Sequence, residues 1–341
     1  MSPDTGWETA NRWWSRPSFW AWAAAITVFP LIWVGGLVTT HDAGMAVPDW
    51  PGTYGYNLFL YPISTWLYGP FDLLIEHGHR LLGSLVGLLA IGLCITAWKH
   101  EPRNWYKWGA IGLLLAVIGQ GLLGGFRVVL DARTIAMLHG CGGPLVFALA
   151  AFLALAASRD WRRAQPVFAS RGMGRVSLLL FLGTVVQLVL GAQLRHALPD
   201  TRPAAFMSMV HLHLTVAVLL TFLILAIAWM VRRPQYRVAP EIRTPANVLL
   251  VLLLVQLCLG VATWGVNYAF PWTDLTPGLA RYAIAAKGYW ESLIITGHQA
   301  TGSLMIAGSV WLACRVWRRH ELSLRSSSNS LPFFLRRRSQ S

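Results

Sequence analysis

Acidic residues are scarce in this chain. Its 14 Asp and Glu stand against 28 Lys and Arg, and charged residues of both signs make up only 12% of it. A soluble domain typically carries about 25%, so an ordinary water-soluble fold is excluded. Cysteine is sparse as well. Cys94, Cys141, Cys258 and Cys314 all fall inside apolar runs, and none sits in a polar loop where an oxidising compartment could pair it. They read as small buried residues, not as a disulfide framework. The N-terminal stretch, with Trp13, Trp14, Arg16 and Trp20, lacks a short apolar core followed by a small-residue cleavage site. The first apolar run therefore reads as a retained helix rather than a signal peptide.

What the chain has in quantity is apolar sequence. Of its 341 residues 55% are hydrophobic, and the mean hydropathy is +0.50. Several runs reach the roughly 20 residues that cross a bilayer as a helix. The spans expected are Trp20–Val38, Glu76–Trp98, Trp108–Phe126, Ile135–Ala157, Val176–Leu194, Phe206–Val231, Val248–Val266 and Ser292–Val316. The fold class expected is an all-α membrane protein of eight transmembrane helices, arranged as two pseudo-repeated four-helix bundles.

The net charge of +14 would attract nucleic acid in a soluble protein, but its distribution argues otherwise. Lys and Arg cluster in Lys99–Lys107, Arg159–Arg175, Arg232–Arg243 and Arg315–Arg338, whereas Thr39–Ile75 has neither and carries Asp42, Asp49 and Asp72. By the positive-inside rule both termini are cytoplasmic and the Thr39–Ile75 loop lies outside, in a cell (inner) membrane protein. Arg281 and Lys287, in the last outer loop Asn267–Glu291, run against the pattern without overturning it. The expected partners are membrane lipid and no nucleic acid. The organisation expected is a cytoplasmic segment 1–19, an N-terminal half 20–157, a cytoplasmic linker 158–175, a C-terminal half 176–316 and a solvated basic tail 317–341.

An internal repeat runs through the apolar spans. The third, fifth and seventh carry Gln120-x-x-x-Gly124, Gln187-x-x-x-Gly191 and Gln256-x-x-x-Gly260, and the first carries Leu31-x-x-x-Gly35 at the same place. The even-numbered spans carry a His followed four residues later by Gly or Ala: His79/Gly83, His139/Gly143, His213/Ala217 and His298/Gly302. His79-Arg-Leu-Leu-Gly-Ser-Leu85 and His298-Gln-Ala-Thr-Gly-Ser-Leu304 match most closely. Repeats of this kind are common in membrane folds.

A lone His in an apolar helix is most simply a hydrogen-bonded packing residue. Four at matching positions point to function, because intramembrane ionisable groups are costly. Neutral imidazole ligates haem iron, zinc or copper. Zinc sites usually gather three or four ligands on one point, often with thiolates or carboxylates among them. Two His pairs on facing helices suit two haems better, and a small residue one turn below each His would let a flat macrocycle approach the backbone. His211 and His213 point about 200° apart on one helix; Ala217 favours His213 and leaves His211 as the alternative. Gly83 likewise favours His79 over His77. Glu76 lies three residues before His79, on the same helical face. Alone it would read as an interfacial acid at a helix N-terminus; beside a haem ligand it reads as catalytic or substrate-positioning.

The segments Gly35-Gly36-Leu-Val, Ala43-Gly44, Pro48-Asp49-Trp50-Pro51 and Glu76-His77-Gly78-His79-Arg80, with one His opening each even span, resemble the haem A synthase family. The similarity covers about Trp20 to Val316. The resemblance implies an enzyme that oxidises a methyl group of haem O to a formyl group, giving haem A for terminal oxidases. It implies that His79 and His139 ligate the substrate haem, that His213 and His298 hold a haem b, and that Glu76 is the essential acid. It further implies haem O, the haem O synthase that supplies it and an electron donor or acceptor as partners; a homo-oligomer is left open. Arg80, Arg127 and Arg195 are candidates for propionate contacts, with interfacial snorkelling as the plainer reading. Asp49 and Trp50 are candidates for covering the substrate site, though an interfacial anchor explains Trp50 nearly as well.

Three departures stand out. Some bacterial members carry a cysteine pair in the outer loops, and this chain has none. Pro144 is expected to kink the fourth span, and Gln299 stands where Arg80 follows His79. Three rivals remain at this level: a di-haem membrane cytochrome b that only transfers electrons, a proton-coupled transporter, and a structural assembly factor.

Overall fold

The computed structural model describes residues 13–162, 164, 171–198, 200–234, 238, 240–268 and 288–329, with backbone alone at 240, 268 and 320–329. Among the described residues there is no strand, only an isolated bridge between Thr53 and Tyr56. The helices are α1 (Pro17–Thr40), α2 (Ile63–Leu67), α3 (Phe71–His100), α4 (Asn104–Val129), α5 (Arg133–Ala157), α6 (Arg159–Arg162), α7 (Arg171–Arg195), α8 (Pro203–Met230), α9 (Pro240–Tyr268) and α10 (Tyr289–Asn329). Seven of them are long and apolar enough to cross a membrane: α1, α3, α4, α5, α7, α8 and α9. The chain is a multi-pass membrane protein. α10 runs continuously through the expected eighth span and on past Arg315, Arg318 and Arg319. The expectations for Arg281, Lys287 and the residues beyond 329 lie outside the described residues.

Local sequence explains the helix ends. Proline opens α1 and α8, where its fixed φ is preorganised and its missing N–H is no loss. Pro70 caps α3, so that helix begins five residues before the expected Glu76, and Asp72 rather than Glu76 occupies its first turn. Glu101-Pro102-Arg103 separates α3 from α4, since Pro102 disfavours helical backbone at Glu101. α5 continues through Pro144 without a break. The two short helices were not legible as hydrophobic runs: α2 falls in the outer loop and α6 in the basic linker.

Packing follows residue size. α5 is rich in alanine, with Ala148, Ala150, Ala151, Ala154, Ala156 and Ala157 all buried. Small side chains let helix backbones approach in lipid, where apolar burial alone does not drive association. One apolar core joins α1, α3, α4 and α5 through residues such as Ala21, Leu93, Leu113 and Leu153. A second joins α7 to α10 through Leu180, Ile224, Leu249 and Leu312. A third, with Val28, Ile32, Phe147 and Ala307, ties α1 and α5 to α10, and Trp311 Nε1 donates to the Ala151 carbonyl across that joint at 2.8 Å. α4 and α9 turn most of their surface outward, exposing Leu115, Ile118, Val251 and Leu254. All four cysteines are free.

One polar cluster was missed by sequence reasoning. Glu101, 2% exposed, accepts from Arg103 Nε at 2.6 Å and from Arg162 of α6 at 2.7 Å. Burial pushes its carboxyl up, but the two guanidiniums outweigh this and hold it below the usual range. Tyr106 adds a bond to the Leu153 carbonyl at 3.1 Å. This latch joins the α3–α4 turn to the far end of α5.

Candidate functional site

The glycines of the repeated motif are where the candidate histidines rest. A Cβ added at Gly35 would stand 2.7 Å from His79 Cε1, and one at Gly124 would stand 3.0 Å from His139 Cε1. The same distance is 3.2 Å for Gly260 and His298, and 3.4 Å for Gly191 and His213. The helix that comes first in each pair (α1, α4, α7, α9) thus presents bare backbone to an imidazole edge on its partner. The backbone carbonyls facing the rings come from Leu31 for His79, Gln120 for His139 and Gln256 for His298, the residues that head the same motifs. Nδ1 of all four histidines is buried without a partner at hydrogen-bonding geometry.

The four rings fall into two pairs. The centroids of His79 and His139 are 6.1 Å apart with planes at 85°; those of His213 and His298 are 6.5 Å apart at 60°. Among the described residues no three or more His, Cys, Asp and Glu gather as a metal cluster, so these are pairs and not parts of a zinc-type centre. A metal–imidazole bond is about 2.0–2.1 Å, so two imidazoles that would share one metal ion between them stand with centroids about 6 Å apart. Both pairs fit that spacing. His211 is exposed and its neighbour His213 faces the pair. His77, 1% exposed, turns instead to the outer loop, with Nδ1 3.0 Å from Thr53 Oγ1 and its ring against Tyr61 and Trp66.

The small residues near the histidines differ in what they face. Gly302 faces the Gln256 amide at 3.4 Å from its added Cβ, and Gly142 faces the Gln120 amide. Nothing lies within 4 Å of a Cβ at Gly83.

A single carboxylate accompanies the first pair. Glu76 is 1% exposed. Its Oε2 accepts from the Val47 amide at 2.9 Å and its Oε1 from Arg80 at 2.9 Å, with Arg127 at 3.9 Å. Arg80 also donates to the carbonyls of Asp49 at 2.7 Å, Gly52 at 2.8 Å and Val47 at 2.8 Å. Its two terminal nitrogens are therefore engaged by the loop and by Glu76. Asp49 organises the same loop, its carboxylate accepting from the Tyr54 amide at 2.7 Å and the Gly55 amide at 2.9 Å. Burial pushes that carboxyl up, but these amides more than compensate and hold it low. The Trp50 ring packs on Gly125, the residue after the glycine that seats His139, and near Phe126. Loop 42–56 thus closes over the ends of α3 and α4.

Arg127 reaches toward Gly44 and Glu76. Arg195 donates to the Gly36 carbonyl at 2.8 Å and Thr40 Oγ1 at 2.6 Å, and among the described residues it forms no ion pair. It joins α7 to α1 at Gly36, where an added Cβ would also meet Thr296 of α10 at 2.7 Å. Beside it, His196 was missed by sequence reasoning. Its Nε2 lies 3.7 Å from a Cβ added at Gly140, next to His139. Burial, then Arg195, Arg127 and Arg133, lower its pKa to about 4.

Fold and site define a multi-pass helical membrane protein with two imidazole pairs between its helices, one beside a buried carboxylate. The chain belongs to the cytochrome oxidase assembly protein family, COX15-CtaA, which it matches over residues 18–200. It is similar to the heme A synthase of Shouchella clausii, 28% identical over 253 residues that cover 67% of this chain and 80% of that one. It is similar also to the heme A synthase of Alkalihalophilus pseudofirmus, 26% identical over 76% of this chain and 89% of the relative. With the heme A synthase of Hyphomonas neptunium it shares 27% identity over 56% of this chain and 62% of the relative.

Proposed function

We propose that this chain is a haem A synthase, an enzyme that oxidises a methyl group of haem O to a formyl group and so supplies haem A to terminal oxidases. The observation that carries the reading is the pairing of His79 with His139 at 6.1 Å, with His79 on the same helix as a buried Glu76 for which the second pair has no counterpart among the described residues. In this reading His79 and His139 hold the substrate haem, and His213 and His298 hold a resident haem b. When bound, haem iron would supply the redox chemistry, and the imidazoles that hold it would tune it. Glu76 accepts a proton or stabilises positive charge beside the reacting methyl; the Arg80 ion pair and the Val47 amide hold its two oxygens in place. Arg127 and Arg195 remain the candidates for propionates, because neither guanidinium is fully neutralised by its neighbours. Asp49 and Trp50 shape the loop that excludes water above the first pair.

The same reading takes α10 as an eighth crossing and the halves 20–157 and 176–316 as duplicated four-helix bundles. The linker 158–175 and both ends, 1–19 and 317–341, are then cytoplasmic, in the inner membrane. The recurrence of the glycine–imidazole seat in four helix pairs supports that duplication. Haem O, the synthase that makes it and an electron partner are the molecules this enzyme meets.

The test is pigment extraction after co-expression with a haem O source. Wild type should yield haem A, and Glu76→Ala should retain haem O unconverted. Two haems returned unchanged by the wild type would favour a di-haem cytochrome b instead.

A further inference from the structure

The four imidazole seats differ in one respect. In three helix pairs the residue one turn before the seating glycine is a glutamine whose amide enters the groove of the His-bearing helix. Gln187 Nε2 donates to the His213 carbonyl at 3.1 Å and lies 3.1 Å from His213 Nε2. The Gln120 amide sits against Gly142 of α5, and the Gln256 amide lies 3.4 Å from a Cβ built on Gly302 of α10. In the fourth pair, α1 with α3, that residue is Leu31. It packs with the apolar core joining α1, α5 and α10 and offers no polar group. The groove it would enter is empty: Gly83, which matches Gly302 in sequence, has nothing within 4 Å of an added Cβ. His79 is therefore the one candidate ligand whose helix has no amide from its neighbour.

A polar side chain reaching between transmembrane helices holds them together, because in hydrocarbon its alternative is an unsatisfied group. A substrate haem must enter and a product haem must leave, whereas a resident haem must stay. The exchange site is then expected to have the looser ligand. We infer that Leu31 makes His79 the releasing ligand of the substrate pair, and that Gln256 retains the haem in the other pair. This rests on the haem reading of the two pairs. Leu31 acts through the helix bearing His79 and is a positioning residue.

The experiment uses the full-length protein, purified with its haems, and follows transfer to excess apo-myoglobin by Soret absorbance. Pigment extraction at intervals assigns the loss to haem O and A or to haem b. Leu31→Gln, which places an amide opposite the open Gly83, should slow loss of the substrate-site haem by about three- to eighteenfold, leaving haem b loss unchanged. Gln256→Leu should speed haem b loss by a similar factor without affecting the substrate site. A Leu31→Gln protein that loads normally and releases at the wild-type rate overturns the inference. So does a Gln256→Leu protein whose haem b is held as before, which decides the matter even where Leu31→Gln fails to load. A wild type with no Soret band overturns the haem reading itself, and the inference with it.

Discussion

Replacing the seating glycines by alanine, one at a time, should produce a graded loss set by the distance from the new Cβ to the imidazole. At Gly191 the distance is 3.4 Å, ordinary van der Waals contact. There the alanine gains roughly 1 kcal/mol of helix propensity over glycine and nothing has to move. At Gly260 and Gly124, with 3.2 and 3.0 Å, the ring must yield by a few tenths of an ångström. At Gly35 the methyl would stand 2.7 Å from His79 Cε1. Overpacking of that kind costs about 1–3 kcal/mol, and the ring relieves it only by leaving its seat. The expected order of damage is Gly35→Ala, then Gly124→Ala, then Gly260→Ala, with Gly191→Ala neutral or slightly stabilising. Haem content per purified protein, together with thermal unfolding in detergent, measures it. Gly35→Ala should lose substrate-site haem while retaining haem b. The reasoning is refuted if Gly191→Ala is as damaging as Gly35→Ala, or if Gly35→Ala empties the C-terminal pair instead.

Arg80→Ala removes three carbonyl contacts and the ion pair to Glu76, leaving a buried carboxylate with weaker support. The cost should be about 3–5 kcal/mol, read as faster hydrogen exchange at the Val47, Thr53 and Tyr56 amides; unchanged exchange would contradict the loop-clamp role. Arg195→Leu removes the charged donor from the Gly36 carbonyl and the Thr40 hydroxyl, which keep their bond to each other, and should destabilise the chain by about 1.5–3 kcal/mol. If it also binds a propionate, haem content should fall with it. Glu101 is held low in the folded protein, so its contribution is present above the unfolded value of about 4.3 and fades as pH falls through the lower folded value. Thermal unfolding scans should lose less stability on acidification in Glu101→Gln than in wild type; parallel curves would sink the latch.

Much of this was legible in the sequence because membrane crossing imposes long apolar runs, and α1, α3, α4, α5, α7, α8 and α9 fall on the expected spans. The histidines were legible too, since an imidazole repeating at one depth in lipid has few bland explanations. What the motif glycines do was not. Gly35, Gly124, Gly191 and Gly260 were visible as a repeat, but nothing in a one-dimensional pattern says that each faces a ring on the next helix. The neighbours of Arg80 were hidden for a related reason, since only the folded loop brings the carbonyls of Val47, Asp49 and Gly52 to it. Glu76 lay within reach of sequence reasoning, although its helix starts five residues earlier than hydropathy indicates, because Pro70 and Asp72 set that end. The Glu101 latch needed α6, too short to register as a hydrophobic run.

The most direct measurement of the central claim is site-resolved haem stoichiometry in His79→Ala, His139→Ala, His213→Ala and His298→Ala. Two haems per wild-type chain are expected, with haem b lost from the last two variants only and substrate-type haem lost from the first two only. Loss of one and the same haem from all four, or a wild type with no haem at all, would contradict the account.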